Sequence, residues 1–224
     1  MGVILNNTSS LKLAVLLVLL MCLSSGSRAH VDPTKGFTRL PLKRSNFHIQ
    51  KPYDLPVSAR YSFIHGVHKL WVYSTDKPLY KNSTTHPRTE IRIRGYDYSS
   101  GIWQFEGYGY VPSGTTNVCI MQVFGASLHS YATTLMLVVR NNTLLYYKNP
   151  TVATNLHDRW FRLNVIHDVD SSILKVYIDG ILQLEAPGHG GTNHFFKCGV
   201  YSQYDGSRCM ESHWKWIKVF KKFV

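Results

Sequence analysis

Apolar and polar residues alternate along most of this chain with a period of two, which is typical of strands that bury one face. In residues 160–166, for example, Phe161, Leu163 and Val165 alternate with polar positions. The segments 102–110 and 214–220 behave in the same way. No long window has the 3.6-residue period of a helix. The pattern therefore predicts an all-β protein.

Two pairs of predicted strands are joined by short turns. Residues 135–139 and 144–147 flank the tetrapeptide RNNT, and residues 173–178 and 181–184 flank Asp179-Gly180. Asp-Gly is a strong signal for a two-residue hairpin turn. Many short strands in one domain predict two antiparallel sheets packed face to face, a β-jelly-roll sandwich with a concave groove on one sheet.

Three of the predicted strands place polar side chains on one face, while alternate positions such as Ile91, Met121 and Val200 face the core. The polar positions are Arg88, Glu90, Arg92 and Arg94 in the first strand, Gln122 in the second, and Lys197, Tyr201 and Gln203 in the third. Cations and donors in this arrangement predict a groove that binds an anion. The alternative is an ordinary solvated sheet face.

The N-terminal 29 residues have the pattern of a secretory signal peptide, in which Lys12 precedes an apolar run and small residues follow up to Ala29. A signal anchor is the alternative, although the run is short for a membrane span. We expect one exported domain over residues 30–224, monomeric and not attached to a membrane after cleavage. The vacuole and the cell exterior both remain possible destinations. Sequons at Asn82 and Asn141 predict glycosylation.

The formal net charge of +12 favours an anionic partner. Nucleic acid is not expected, because the chain is predicted to be exported and has no nucleic-acid motif. Acidic polysaccharides and small carboxylates fit better. Of the tryptophans, Trp103, Trp160, Trp214 and Trp216 are expected mainly in the core, with stacking on sugar rings as the alternative.

Three cysteines follow the predicted signal peptide: Cys119, Cys198 and Cys209. Export permits disulfides, and the turn-like residues 204–207 favour a Cys198–Cys209 bridge. Cys119 shares the apolar alternation of Met121, so we expect a buried free thiol; a Cys119–Cys198 pair is the alternative. No Cys/His spacing indicates a metal, and no cofactor is expected.

The segments RTEIR at 88–92, QVF at 122–124 and FFKCGVYSQ at 195–203 resemble, in this order, motifs of the family-7 polysaccharide lyases, the alginate lyase group. The resemblance implies a jelly roll with a groove across its concave sheet. It also implies that Arg88 and Gln122 neutralise a substrate carboxylate and that Tyr201 transfers a proton. Lys197, Arg92 and Gln203 would line the groove.

The histidine of that family falls at Phe124, and phenylalanine cannot act as a base. Losing a group that transfers or positions a proton costs about 10²–10⁴ in rate. Tyr201 would then have to serve as both base and acid, with nearby cations favouring its phenolate. Alternatively, Tyr201 is only a cross-strand packing residue.

Residues 32–37 (DPTKGF) and 212–218 (SHWKWIK) resemble a group of exported or vacuolar plant proteins, the citrate-binding proteins. We therefore predict a binder of citrate or a related carboxylate that lacks lyase activity. Two alternatives remain open. One is a polyuronate lyase that acts by β-elimination, and the other is a lectin-like module that holds an acidic polysaccharide without cutting it.

Overall fold

The computed structural model of the protein describes residues 29–127 and 132–223. The predicted signal peptide lies outside these residues, apart from Ala29. The fold lies in the unit that begins at Val31. Within the described ranges, no helix has the length and apolar character needed to cross a membrane.

Short strands make up most of the described chain, and the only helical elements in it are two single turns, Arg44–Asn46 and Val57–Ala59. The strands are β1 (Thr38–Leu40), β2 (Phe47–Gln50), β3 (Tyr61–Ile64), β4 (Val67–Tyr73), β5 (Arg88–Ile93), β6 (Ile102–Tyr110), β7 (Val118–Phe124), β8 (Thr133–Arg140), β9 (Thr143–Tyr146), β10 (Thr151–Ala153), β11 (Trp160–Asp168), β12 (Ile173–Ile178), β13 (Ile181–Pro187), β14 (Phe195–Ser202) and β15 (Cys209–Lys222).

The strands form two antiparallel sheets. The groove sheet has the order β10-β9-β8-β7-β14-β5-β2. The back sheet has the order β13-β12-β11-β6-β15-β4-β3, with β1 paired alongside β15. Strands β5, β7 and β14, which carry the three polar segments, are therefore neighbours in the groove sheet, with β14 in the middle.

One apolar core fills the space between the sheets. Ile91 and Val200 of the groove sheet belong to the same buried cluster as Phe105 and Trp214 of the back sheet. These residues occupy alternate strand positions, as the period of two requires. The predicted fold class is confirmed: the protein is a sandwich of two antiparallel sheets.

Both predicted hairpins are present. Asn141 and Asn142 link β8 to β9, and Asp179 and Gly180 link β12 to β13. All four residues have positive φ, between 46° and 80°. Two consecutive residues with positive φ form the turn whose twist matches that of the flanking strands, and Asn, Asp and Gly adopt this conformation most readily.

The predicted Cys198–Cys209 disulfide is wrong for this structure, in which all three described cysteines are free thiols. Cys198 is fully buried in the core of the sandwich. Cys209 belongs to the back sheet, where its neighbour Met210 takes the inward position. Because consecutive side chains point to opposite faces, Cys209 faces away from the core that holds Cys198.

Cys119 is a buried free thiol as predicted, but it faces the other side of its strand. The pairing of β7 with β8 shifts between Cys119 and Met121, which is the signature of a β-bulge. The bulge turns Cys119 out of the core and towards the groove side, near Glu90 and Lys197, which both influence its pKa. The alternative Cys119–Cys198 pair is excluded by this geometry.

Candidate functional site

A groove of about 690 Å³ crosses the outer face of the groove sheet. Its floor is formed by side chains of β5, β7 and β14. Five of the six predicted ligand-binding residues line this groove: Arg88, Arg92, Gln122, Lys197 and Tyr201. Phe124 and Arg94 line it as well.

Glu90 is almost completely buried and contacts three residues of the groove lining. The side-chain amide of Gln122 donates to its Oε1. Lys197 Nζ lies 3.4 Å from Glu90 Oε2, and Arg88 Nη1 lies 3.5 Å from the same oxygen. One carboxylate thus faces two buried cations, which leaves the floor with one excess positive charge.

Tyr201 and Arg88 pack against each other, since they are direct cross-strand neighbours. The guanidinium carbon of Arg88 lies 3.8 Å from the centre of the Tyr201 ring. Burial raises the pKa of Tyr201, and this effect outweighs the opposing influence of Arg88. The phenolate that Arg88 favours is therefore disfavoured on balance, because the ring is desolvated. Tyr201 is a neutral phenol near neutral pH.

Burial also lowers the pKa of Lys197, an effect that Glu90 opposes. The ammonium group of Lys197 lies 5.2 Å from the centre of the Phe124 ring. Phe124 is stacked on Phe195, with ring centres 4.8 Å apart. An aromatic pair thus stands beside Lys197, at the position where the resemblance places a histidine.

Arg92 lies at the side of the groove. Its guanidinium carbon lies 4.0 Å from the centre of the Phe195 ring, and its Nη2 donates to Asp97. Asp97 offsets the charge of Arg92, so Arg92 contributes less free positive charge than its position suggests.

Gln203 is separated from the other predicted ligand-binding residues. Its side-chain amide donates to the backbone carbonyls of Tyr201 and Ser202, at 3.2 and 2.9 Å. It lines an adjoining cavity of about 670 Å³, which shares Met136 and Tyr147 with the groove. The two cavities together follow the width of the groove sheet from β5 towards β9.

The groove lining also includes polar residues that the sequence did not predict, among them His48 and Gln50 of β2. They pair with Arg92 and Glu90 respectively across the sheet edge. Polar His48 and Gln50 alternate with apolar Phe47 and Ile49, so the period of two would have predicted that these two polar residues share one face of a strand. Burial, followed by the charges of Arg94 and Arg92, lowers the pKa of His48.

The described part of the chain contains no group of three or more His, Cys, Asp or Glu side chains arranged to hold a metal ion. What the groove offers is hydrogen-bond donors, cations and aromatic surface. Such a lining can bind carboxylate groups.

Comparison with known proteins gives the family. A family model described as alginate lyase matches residues 40–221. The chain belongs to the alginate lyase family. It is also 51% identical to a citrate-binding protein from Hevea brasiliensis, over 92% of this chain and 86% of that protein. Both resemblances expected from the sequence motifs are confirmed.

Solved structures of alginate lyases have the same fold. The lyase AlgAT5 is 16% identical, covers 78% of this chain and 93% of its own, and gives a TM-score of 0.62. An alginate lyase from Pseudomonas aeruginosa is 16% identical, with coverages of 80% and 99% and a TM-score of 0.60. The lyase A1-II' in complex with substrate is 13% identical, with coverages of 88% and 99% and a TM-score of 0.64.

Proposed function

We propose that this protein binds citrate or a related small carboxylate in the groove and does not cleave polyuronates. One observation carries the second half of this proposal. Of the two positions to which the resemblance assigns proton transfer, one holds Phe124 and the other holds Tyr201, whose pKa is raised. Phe124 cannot accept a proton, and burial disfavours the phenolate of Tyr201, so proton abstraction, the first step of β-elimination, is impaired.

The binding half of the proposal rests on the groove floor. Arg88 and Lys197 share a single carboxylate, and the Nε of Arg88 is buried without a hydrogen-bond partner in the described residues. A ligand carboxylate would offset the excess charge and accept from these donors. Charge-assisted hydrogen bonds contribute about 1.5–3 kcal/mol each. After the costs of association, a Kd in the micromolar to millimolar range is expected.

The relative from Hevea brasiliensis supports citrate as the first ligand to test, because it is called a citrate-binding protein and the identity is 51%. We further infer export, to the vacuole or the cell exterior, and glycosylation at Asn82 and Asn141. Both asparagines are exposed, as an acceptor site requires.

A second function is favoured by the length of the binding surface. Met136 and Tyr147 line both the groove and the adjoining cavity. A small carboxylate fills only one of them, whereas several units of an acidic polysaccharide would occupy both. In this version the protein holds the polymer without cutting it.

Two assays test the proposal. Incubation with alginate, polyglucuronate or polygalacturonate should release no ultraviolet-absorbing unsaturated uronate, and a robust signal on any of them would overturn the non-catalytic reading. Calorimetry should detect citrate binding that weakens with added salt. Lys197→Met and Arg88→Lys should weaken it strongly, whereas Lys175→Met on the back sheet should not. Melting curves establish that each variant is folded, and citrate binding that persists in both groove variants would place the site elsewhere.

A further inference from the structure

The outer face of the back sheet carries a second set of aromatic and cationic side chains, on the side of the sandwich away from the groove. We call this set the aromatic strip: Tyr108, Tyr110, Trp160, His213, Lys215 and Trp216. Three neighbouring strands supply it, since β6 lies between β11 and β15. Tyr110 pairs with Trp160 on one side and His213 on the other, and Tyr108 pairs with Arg162 and Lys215.

The rings of the strip form two groups. Tyr110 and His213 are stacked with centres 5.3 Å apart, and Tyr110 and Trp160 are 5.5 Å apart. Tyr108 meets Trp216 edge to face at 5.0 Å. Lys215 joins the two tryptophans, because its Nζ lies 4.1 Å from the Trp160 ring and 4.6 Å from the Trp216 ring. The result is two groups of rings that are linked by one cation.

Trp216 is the most unusual residue of the strip. Its side chain is 61% exposed, and its φ is +54°, in the left-handed region that bulky residues avoid. The pairing of β15 with β6 shifts between Lys215 and Lys218, so Trp216 sits in a β-bulge. Bulges redirect side chains, and strained conformations of this kind concentrate at functional sites. Trp214, two residues earlier, is fully buried in the core, so the bulge separates a packing tryptophan from an exposed one.

Lys215 supplies a positive charge to the strip. Lys215 forms no ion pair within the described ranges of the chain. Of the nearby carboxylates, Asp158 accepts from the hydroxyl of Tyr110 and from the backbone N–H of Ser113, which are both neutral donors. Glu211 pairs with Lys69 and His213.

We propose that the aromatic strip is a second binding surface, and that its ligand is an acidic polysaccharide. The apolar C–H faces of sugar rings would stack on Trp160 and Trp216, and Lys215 would pair with a uronate carboxylate. A row of rings with an unpaired cation among them suits a polymer that alternates ring faces and carboxylates. This surface is separate from the groove and does not depend on what the groove binds.

Affinity electrophoresis of the full-length mature protein through gels containing polygalacturonate tests this proposal. Saturating citrate is included so that the groove is occupied. The wild type should be retarded, and Trp216→Ala and Lys215→Ala should each weaken the interaction about tenfold, which equals about 1.4 kcal/mol. Trp216→Asn serves as a second variant, because Asn tolerates the left-handed conformation and should preserve the bulge. Citrate binding by calorimetry should be unchanged in all three variants.

Ile64→Ala is the matched control, because Ile64 is also 61% exposed and also lies on the back sheet. It should be retarded like the wild type. Equal retardation of the wild type and the Trp216 variants would overturn the proposal. The proposal would also be overturned if a neutral polymer such as hydroxyethylcellulose retarded the wild type as much as polygalacturonate does. Stronger binding of the wild type to vesicles of anionic lipid than to polygalacturonate would overturn it as well. Absence of citrate binding would refute the proposed groove function alone, since the strip is read out separately.

Discussion

The substitution Glu90→Gln tests the groove floor most directly, because it removes one charge and little volume. In the native protein Glu90 is the only carboxylate in contact with Arg88 and Lys197 among the described residues. Breaking a buried ion pair by removing one partner typically costs about 3–5 kcal/mol, since the remaining charges stay buried without compensation. Both ion-pair distances are long, at 3.4 and 3.5 Å. We therefore expect a loss at the lower end, about 3 kcal/mol of unfolding free energy.

The same substitution should strengthen the binding of an anion. Glu90 repels a carboxylate bound over Arg88 and Lys197, and this repulsion disappears in the glutamine variant. At about 5 Å and an effective dielectric constant of about 20–40, one unit charge changes the interaction by about 1.5–3 kcal/mol. The Kd for citrate should fall by about tenfold to a hundredfold. A protein that is less stable alone should thus gain more from its ligand.

Urea unfolding with and without citrate, together with calorimetry, measures both effects. Glu106→Gln is the matched control, because Glu106 is also buried and pairs with a lysine, Lys218, but lies on the back sheet. It should lower stability and leave citrate binding unchanged. Weaker citrate binding in Glu90→Gln than in the wild type would mean that Glu90 mainly positions the cations. That result would refute the charge argument.

Three further outcomes are expected. Phe124→His places a base beside Lys197 and should therefore release detectable unsaturated uronate from at least one polyuronate. If this variant releases none from alginate, polyglucuronate or polygalacturonate, Phe124 is not what prevents catalysis. Burial lowers the pKa of His68 to about 4 and that of His167 to about 3. Below pH 6.5 the folded state therefore binds fewer protons than the unfolded state. The free energy of unfolding should fall by about 2 kcal/mol per histidine when the pH is lowered from 7 to 5. Urea unfolding at both pH values measures this loss of stability, which should be smaller in His68→Phe. An unfolding free energy that is the same at pH 7 and pH 5 would contradict the argument. Thiol labelling should modify half-buried Cys209 first and reach Cys119 and Cys198 only after unfolding, because these two are completely buried; recovery of a Cys198–Cys209 linked peptide would contradict the free-thiol structure.

The fold was predictable because the period of two is a local signal. Each strand must bury one face, so the positions of Phe161, Leu163 and Val165 predict both the strand and its orientation. Turn chemistry is local as well, and Asp179-Gly180 marked its hairpin correctly. The motifs predicted that Arg88, Gln122 and Lys197 share one face, and they do share one groove.

What the sequence could not predict depends on irregularities and on strand order. The bulge at Cys119 shifts the alternation by one residue, so a position counted as inward faces outward. Cys198 and Cys209 are close in sequence, but Cys198 points into the core from the groove sheet and Cys209 lies on the outer face of the back sheet, which no spacing shows. Likewise, the pairing of β2 with β5 brings His48 to Arg92 from a distance in sequence. The pKa of Tyr201 depended on burial, which outweighed the neighbouring charge.

The long contacts around Glu90 connect the structure of the groove to its proposed role. On the back sheet, Lys218 approaches Glu106 to 2.6 Å, which is a tight charge-assisted hydrogen bond. In the groove, Lys197 and Arg88 stay 3.4 and 3.5 Å from Glu90. Cations held this loosely keep most of their capacity to donate, and a ligand carboxylate can compete for them without breaking a strong bond. Glu90 therefore makes two buried cations tolerable in the absence of ligand while leaving them able to bind it. This balance favours reversible capture of an anion. Phe124 and the neutral phenol of Tyr201 lie beside the same cations, and neither of them readily accepts a proton.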